Sequence, residues 1–446
     1  MGDVFHNLLS YNLVRAEGYG EPLTVRAFSE PDINNLDLCF RGTWVYDHIP
    51  DIDAMKAAFR KLLGYYPPLS GRVHPNGSGI VFSNRGTPFI VKEETSVSVE
   101  DIGKTDKWAR RFTTPLDLGE VKRGNIAPMN VTLSLLKNGS VLSVQCSHGC
   151  VDCVNFYTIV NDWSKLCRGE DIVEPVFEQS LFSTAQSSAR EDGGYPSFAQ
   201  GWKSLFSGSI IKMFSDSLSG IALERTGAFH FSSAAIKRLR DKISSECSFE
   251  CTTGIALSAY IGKMFAILNN LPDSMGYKQA VTIDLRGRLD GIPAAFFGNA
   301  SMTVPTRPYK RTATLSEIAQ IVYDLLQKII HQSPQELAGF LMNNPDNLGT
   351  RLPDMPIDTD SFSLKRPLVF YNHNFSTLPI YSVDFGKGRP VLSLPHNLQN
   401  HQILIWPVSL SENDGVEVYF SGLLARQIKK LNPNDPWMLA MRKMER

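Results

Sequence analysis

Helix-like and strand-like segments alternate along the whole chain with no repeat of about 20 to 50 residues, which favours a mixed α and β architecture over a solenoid. One stretch breaks the alternation. From about Asp171 to Gly220 the chain ("EQSLFSTAQSSAREDGGYPSFAQGWKSLFSGS") turns rich in Ser, Gly and polar residues and loses its period, as an exposed crossover between domains would. A chain of 446 residues is long for one core, so two are expected. The expected organisation is an N-terminal domain over 1–200, a crossover linker over 201–225 and a C-terminal domain over 226–446.

In the first half, Ile52, Met55, Phe59, Leu62 and Leu63 make a helical stripe, closed by Gly64 and stopped by Pro67. "NVTLSLLKNGSVLSVQCSH" reads as two strands around Asn138-Gly139, a pair suited to a tight hairpin turn. By the two-residue period Leu142, Val144, Cys146 and His148 share a face, which puts His148 at a strand's C-terminal end. Phe156, Ile159, Val160, Trp163 and Leu166 then form a helix face, with Asp152 at the N-cap. In the second half, "AFHFSSAAIKRLRDKI" predicts a strand and a Ser-capped helix with Ile236, Leu239 and Ile243 inward. "TTGIALSAYIGKMFAIL" predicts another helix, and "QAVTIDLRGR" a buried strand.

Lys and Arg number 45 against 45 Asp and Glu, which argues against a nucleic-acid surface or a polybasic membrane anchor. No run of about 18 apolar residues predicts a membrane span. The start "MGDVFHNLLS" lacks the pattern of a secretory signal, and His6 stands where a myristoylation signal wants Ser or Thr. Seven cysteines without regular spacing do not make a disulfide framework, so a soluble cytoplasmic protein with free thiols is expected. The Asn-x-Ser/Thr triplets at Asn130, Asn138, Asn299 and Asn374 then carry no meaning as glycosylation acceptors.

Chemistry concentrates in "CSHGCVDC", Cys146 to Cys153. A zinc site would use Cys150, Cys153 and His148, but the second ligand pair is missing, and Cys247 and Cys251 are spaced differently and far along the chain. A thiol nucleophile at Cys150 would want a base that the sequence does not mark out. The bland alternative is a core histidine satisfied by the backbone.

Two further motifs, "YYPPLSGR" at Tyr65–Arg72 and "VDFGKGRP" at Val383–Pro390, join His148-x-x-x-Asp152, "NNLDL" at 34–38, "GSGIVFSNRGTPFI" at 77–90, "DLRGRL" at 284–289 and "FFGNA" at 296–300. In this order and spacing they resemble the BAHD acyltransferases of plants and fungi, which use acyl-coenzyme A donors. A kinase reading of DFG finds no Gly-rich phosphate loop and no H-R-D loop to support it. Three positions depart from the family pattern: Cys153 in place of Gly, Lys387 in place of Trp, and Asn374-Phe375 in place of a Ser/Thr-Trp pair that lies near the reacting centre in similar enzymes.

The resemblance implies two similar mixed α/β domains of the chloramphenicol acetyltransferase type, with the active-site channel between them. It implies transfer of an acyl group from acyl-CoA to a hydroxyl or amine of a small molecule, with acyl-CoA as co-substrate, no tightly bound cofactor and no metal. A monomer is expected. His148 would be the general base of a ternary-complex mechanism, being mostly neutral at cellular pH. Asn374 would donate to the tetrahedral oxyanion, and Phe375, lacking an indole N–H, would line the substrate site. Asp152 and Asp384 would be structural, with Arg286 as the ion-pair partner of Asp384, and Gly386 and Gly388 would let the chain turn. Coenzyme A phosphates are assigned to Lys237, Arg240, Thr252 and Thr253, the threonines at a helix start that suits an anion. A row of basic residues on a helix is also what a solvated face looks like. The rivals are a carrier-protein-dependent condensation enzyme, disfavoured because Ser147 and not a second histidine precedes His148, and a non-catalytic binding protein of the same fold.

Overall fold

The computed structural model describes residues 7–17, 25–29, 32–33, 35–103, 106–177, 227–269, 276–288, 292–331, 357–358, 363–364, 368–395, 402–409 and 414–420. The linker expected over 201–225 lies outside them.

The first half is a six-stranded sheet built from β1 (Leu8–Val14), β2 (Cys39–Tyr46), β3 (Thr87–Glu94), β4 (Met129–Leu136) and β5 (Ser140–Ser147), in the order β1-β3-β4-β5-β2 and then a strand from the far end of the chain. The β4–β5 hairpin turns at Asn138-Gly139, with Leu135 opposite Ser140. Two helices cover the sheet. The first, α1 (Ile52–Tyr65), is capped by Asp51 and buries Met55, Ala58, Phe59, Leu62 and Leu63. It runs through Gly64, where an added Cβ would meet the Glu17 carbonyl at 3.8 Å, and ends at Tyr65, so the glycine does not close the helix; Pro67 starts a separate 3-10 turn. The second, α2 (Cys153–Cys167), follows β5 and buries Phe156, Ile159, Val160 and Trp163 against the sheet.

The second half repeats the plan. Strand β6 (Gly227–Phe231) leads to α3 (Ser233–Glu246), capped by Ser232 with Ile236, Leu239 and Ile243 inward. Then come α4 (Thr253–Asn269), β7 (Tyr277–Asp284), β8 (Ser301–Pro305), α5 (Leu315–Ile330) and β9 (Leu368–Asn374). After them lie β10 (Leu392–Leu394), β11 (Gln402–Pro407) and β12 (Val416–Phe420), and the second sheet has the order β8-β7-β9-β11-β12-β6. Both sheets mix parallel and antiparallel pairs, β3–β4 in the first and β7–β9–β11 in the second being parallel. Two mixed α/β halves are what the motifs implied.

The division at residue 225 is crossed by the segment that carries DFGKG. Strand β10 pairs antiparallel with β2, Leu394 opposite Thr43, and so completes the first sheet. Upstream of it Ile380, Tyr381, Val383 and Phe385 are buried in the first core. Trp44 donates its indole N–H to the Ile380 carbonyl at 2.8 Å, and Tyr46 its hydroxyl to the Val383 carbonyl at 3.0 Å. The reason is an otherwise open edge at β2, whose unpaired backbone groups the returning chain satisfies.

Candidate active site

His148 follows the last residue of β5, and its backbone N–H donates to the Leu38 carbonyl at 2.9 Å. Its ring lies 4.3 Å, centroid to centroid, from that of Phe40 and is half-buried. Nδ1 is sealed from solvent without a hydrogen-bond partner; Nε2 is neither sealed nor bonded. Burial holds the imidazole below its ordinary pKa, against the raising influence of nearby backbone carbonyls, Asp152 and the Asn299 side chain. At neutral pH the ring is neutral, so Nε2 can offer a lone pair when Nδ1 carries the proton. Asn299 frames that choice: its amide N–H donates to the His148 carbonyl (2.8 Å) and to Asp32 (2.8 Å), while its Oδ1 is buried and unpaired. The motif "FFGNA" was noticed in the sequence, but its asparagine stood out there only as part of an Asn-x-Ser/Thr triplet and not as a partner of His148.

Asp152 is buried and caps α2 through the Asn155 N–H at 3.0 Å. Its other oxygen accepts from Arg286 Nη1 at 2.8 Å, from the Ala300 N–H at 2.9 Å and from the Ser301 hydroxyl at 3.1 Å. Arg286, following β7, also donates to Asp284 (2.9 Å), to Asn155 Oδ1 (2.8 Å) and to the Phe296 carbonyl (2.9 Å). Burial alone would raise the Asp152 carboxyl; the guanidinium and the two backbone N–H groups outweigh it and hold the pKa below the usual range. The carboxylate turned toward the other half of the molecule makes no bond to the imidazole. It ties the two halves together beside His148.

The expected Asp384–Arg286 pair is therefore corrected. Arg286 is spent on Asp152 and Asp284. Asp384 accepts from the Gly386 and Gly388 N–H groups at 2.7 and 3.0 Å, closing a turn in which the glycines have φ of +97° and +129°. Its carbonyl accepts from Arg168 of the first half, and Lys387 donates to the Ile49 carbonyl at 2.9 Å. The glycines make the turn, the ion pair does not form, and Lys387 has a structural contact of its own.

Asn374 ends β9 exposed, and its Oδ1 accepts from the Ser376 N–H (3.1 Å) and hydroxyl (2.7 Å) in a local turn. By strand alternation it lies on the opposite face from Tyr371, His373 and Phe375, whose rings stack at 6.2 and 5.8 Å. The oxyanion assignment to Asn374 is thus corrected by the pleat. The residue on the side of Phe375 is His373, which the sequence reading passed over; the two-residue period counted back from Phe375 was the signal that finds it. Phe375 itself is buried and meets Trp406 edge-on at 6.0 Å.

Thr252 caps α4 through the Ile255 N–H, Thr253 opens the helix, and Gly254 lies near the Asn374 amide. These three positions come together where α4 begins and β9 ends. Lys237 and Arg240 do not join them as free cations: Lys237 is exposed and pairs with Asp241 at 2.6 Å, and Arg240 donates to the Cys251 carbonyl at 3.0 Å. Among the described residues no group of three or more His, Cys, Asp and Glu side chains is placed to hold a metal ion. All seven cysteines are unpaired, and burial pushes the Cys150 thiol up to about 12, far from a ready nucleophile. Among the described residues no helix is long and apolar enough to cross a membrane.

The chain resembles known proteins over most of its length. A model of the family described as "Transferase family" matches residues 28–432. A hydroxycinnamoyl-CoA:5-hydroxyanthranilate N-hydroxycinnamoyltransferase of Avena sativa is 22% identical over 402 residues, 85% of each chain. Among solved structures, vinorine synthase aligns with a TM-score of 0.67 at 18% identity, covering 96% of both chains. TRI101 of F. graminearum, crystallised with ethyl coenzyme A, aligns with a TM-score of 0.64 at 15% identity, covering 94% of this chain and 99% of the other.

Proposed function

The chain belongs to the Transferase family, and from that premise we propose that His148 is the general base of its reaction. It is an acyl-CoA-dependent acyltransferase of the BAHD type, taking acyl-CoA as co-substrate and a small-molecule acceptor. The acceptor hydroxyl or amine gives its proton to His148 Nε2 as its lone pair attacks the thioester carbon. The carbonyl π pair moves to oxygen, and the tetrahedral adduct collapses with cleavage of the C–S bond. The leaving thiolate takes the proton back from the imidazolium. No acyl-enzyme is required, because holding both substrates together supplies about 7 to 11 kcal/mol of the barrier. The observation that carries this reading is the asymmetry of the His148 ring, sealed at Nδ1 and open at Nε2.

The test is release of free thiol from a panel of acyl-CoAs incubated with pooled alcohol and amine acceptors. His148→Ala is expected to lower the rate by about 10² to 10⁴, and turnover at the wild-type rate would overturn the assignment. Because the folded pKa of His148 is held below its ordinary value of 6.5, kcat/KM should be level at neutral pH and fall only as the pH drops below that value and the base is protonated. A loss of rate that begins above pH 7 on acidification contradicts the assignment. We further place the protein in the cytoplasm, where its seven unpaired thiols would stay reduced, and as a monomer; cell fractionation and size-exclusion chromatography check the two readings.

A further inference from the structure

We propose that His373 Nε2–H is the donor that stabilises the tetrahedral oxyanion, so that two imidazoles, one from each half of the molecule, divide the chemistry: His148 moves the proton and His373 holds the charge. This rests on the acyl-transfer reading above.

Four observations carry it. The first is position: Asn299 donates to the His148 carbonyl, and two residues on Ser301 donates to Asp152. Thr303, two further along β8, faces the same way and meets Thr282 of β7 at 3.0 Å, and Thr282 meets His373 Nδ1 at 2.9 Å. A polar row thus runs across the second sheet from the His148 loop to His373. The second is orientation, because Nδ1 is taken by Thr282 while Nε2 has no partner and is not sealed from solvent. A relay in which Thr303 donates to Thr282 and Thr282 donates to Nδ1 leaves the proton on Nε2, pointing it outward as a donor. The third is rigidity: the ring is stacked between Tyr371 and Phe375, so the donor is pre-aligned. The fourth is charge state. Burial, and then the neighbouring His148 charge, lower the His373 pKa to about 4. Such an imidazole is a poor base, yet a neutral one can polarise a carbonyl oxygen. With phenylalanine at 375 and Asn374 facing away, His373 is a ring N–H that the second half turns to the face shared with Phe375.

No bond to His373 is made or broken. The electron pair that leaves the carbonyl π bond rests on oxygen while Nε2–H donates to it, and returns when the C–S bond breaks.

With the acyl-CoA and acceptor pair found in the thiol-release panel, His373→Phe is expected to lower kcat and kcat/KM together by about 10² to 10³. The Kd of the acyl-CoA, measured by titration calorimetry, should stay within about twofold, since the contact forms only in the transition state. His373→Gln, which restores an N–H near the Nε2 position, should recover at least tenfold of that loss. His373→Phe at the wild-type rate would overturn the proposal; if His148→Ala is inactive in the same assay, the general-base reading survives that failure. A fully active His148→Ala refutes the general base instead. Independently of activity, ¹⁵N NMR of histidine-labelled wild-type protein should show His373 as the neutral Nε2–H tautomer at pH 6. The Nδ1–H tautomer there would refute it.

Discussion

Two motif aspartates do different work. Asp152 is buried, gathers an arginine, a helix N-terminus, a backbone N–H and a hydroxyl, and joins the two halves. Asp384 is half-exposed and closes a glycine turn that packs on the first half. The residue type is the same, and the partners decide the role: a charge taken out of water needs a countercharge, while one at the surface is satisfied by two N–H groups.

The largest stability effects should therefore fall on the buried pair. Asp152→Ala leaves Arg286 buried and partly unpaired and should cost about 3 to 5 kcal/mol, read by urea denaturation. Arg286→Ala should cost a similar amount, and in a double-mutant cycle the two should be far from additive. Arg286→Ala and Asp384→Ala should instead sum; strong coupling between them would restore the pairing that the structure rejects. Because the folded pKa of Asp152 is depressed, its contribution is present above the unfolded carboxylate pKa of about 4 and is lost as the pH falls through the folded value. Acid unfolding of Asp152→Asn should lack that component.

Smaller effects belong to the turn. Asp384→Ala removes two hydrogen bonds to a carboxylate and should cost about 1 to 3 kcal/mol. Gly386→Ala separates backbone strain from contact, since an added Cβ would meet nothing within 4 Å while φ is +97°; about 1 to 2 kcal/mol is expected. A larger loss of activity than of stability in either variant would give the turn a part in substrate binding. The smallest effect is at Lys237, whose ion pair with Asp241 is solvated: Lys237→Ala should leave both Tm and the Kd of acyl-CoA unchanged, and a tenfold weaker Kd would reinstate the phosphate assignment.

Local patterns were legible because they are set by neighbours along the chain. The two-residue period put His148 at the end of β5, the 3.6-residue period found the faces of α1, α2 and α3, and short polar side chains marked their caps at Asp152 and Ser232. The motif order was enough to name the family and two mixed α/β halves. Pairing across the fold was not legible. Any of several aspartates could have taken Arg286, and only the approach of β8 to the α2 N-terminus selects Asp152. The DFGKG segment leaves its own half because the open edge of β2 lies within reach, a fact of three dimensions. His373 escaped notice for the same reason. Its place on the strand was written in the period of β9, but its meaning depends on Thr282, Thr303 and His148, which are 91, 70 and 225 positions away along the sequence and come near it only when the second sheet forms and packs against the first half.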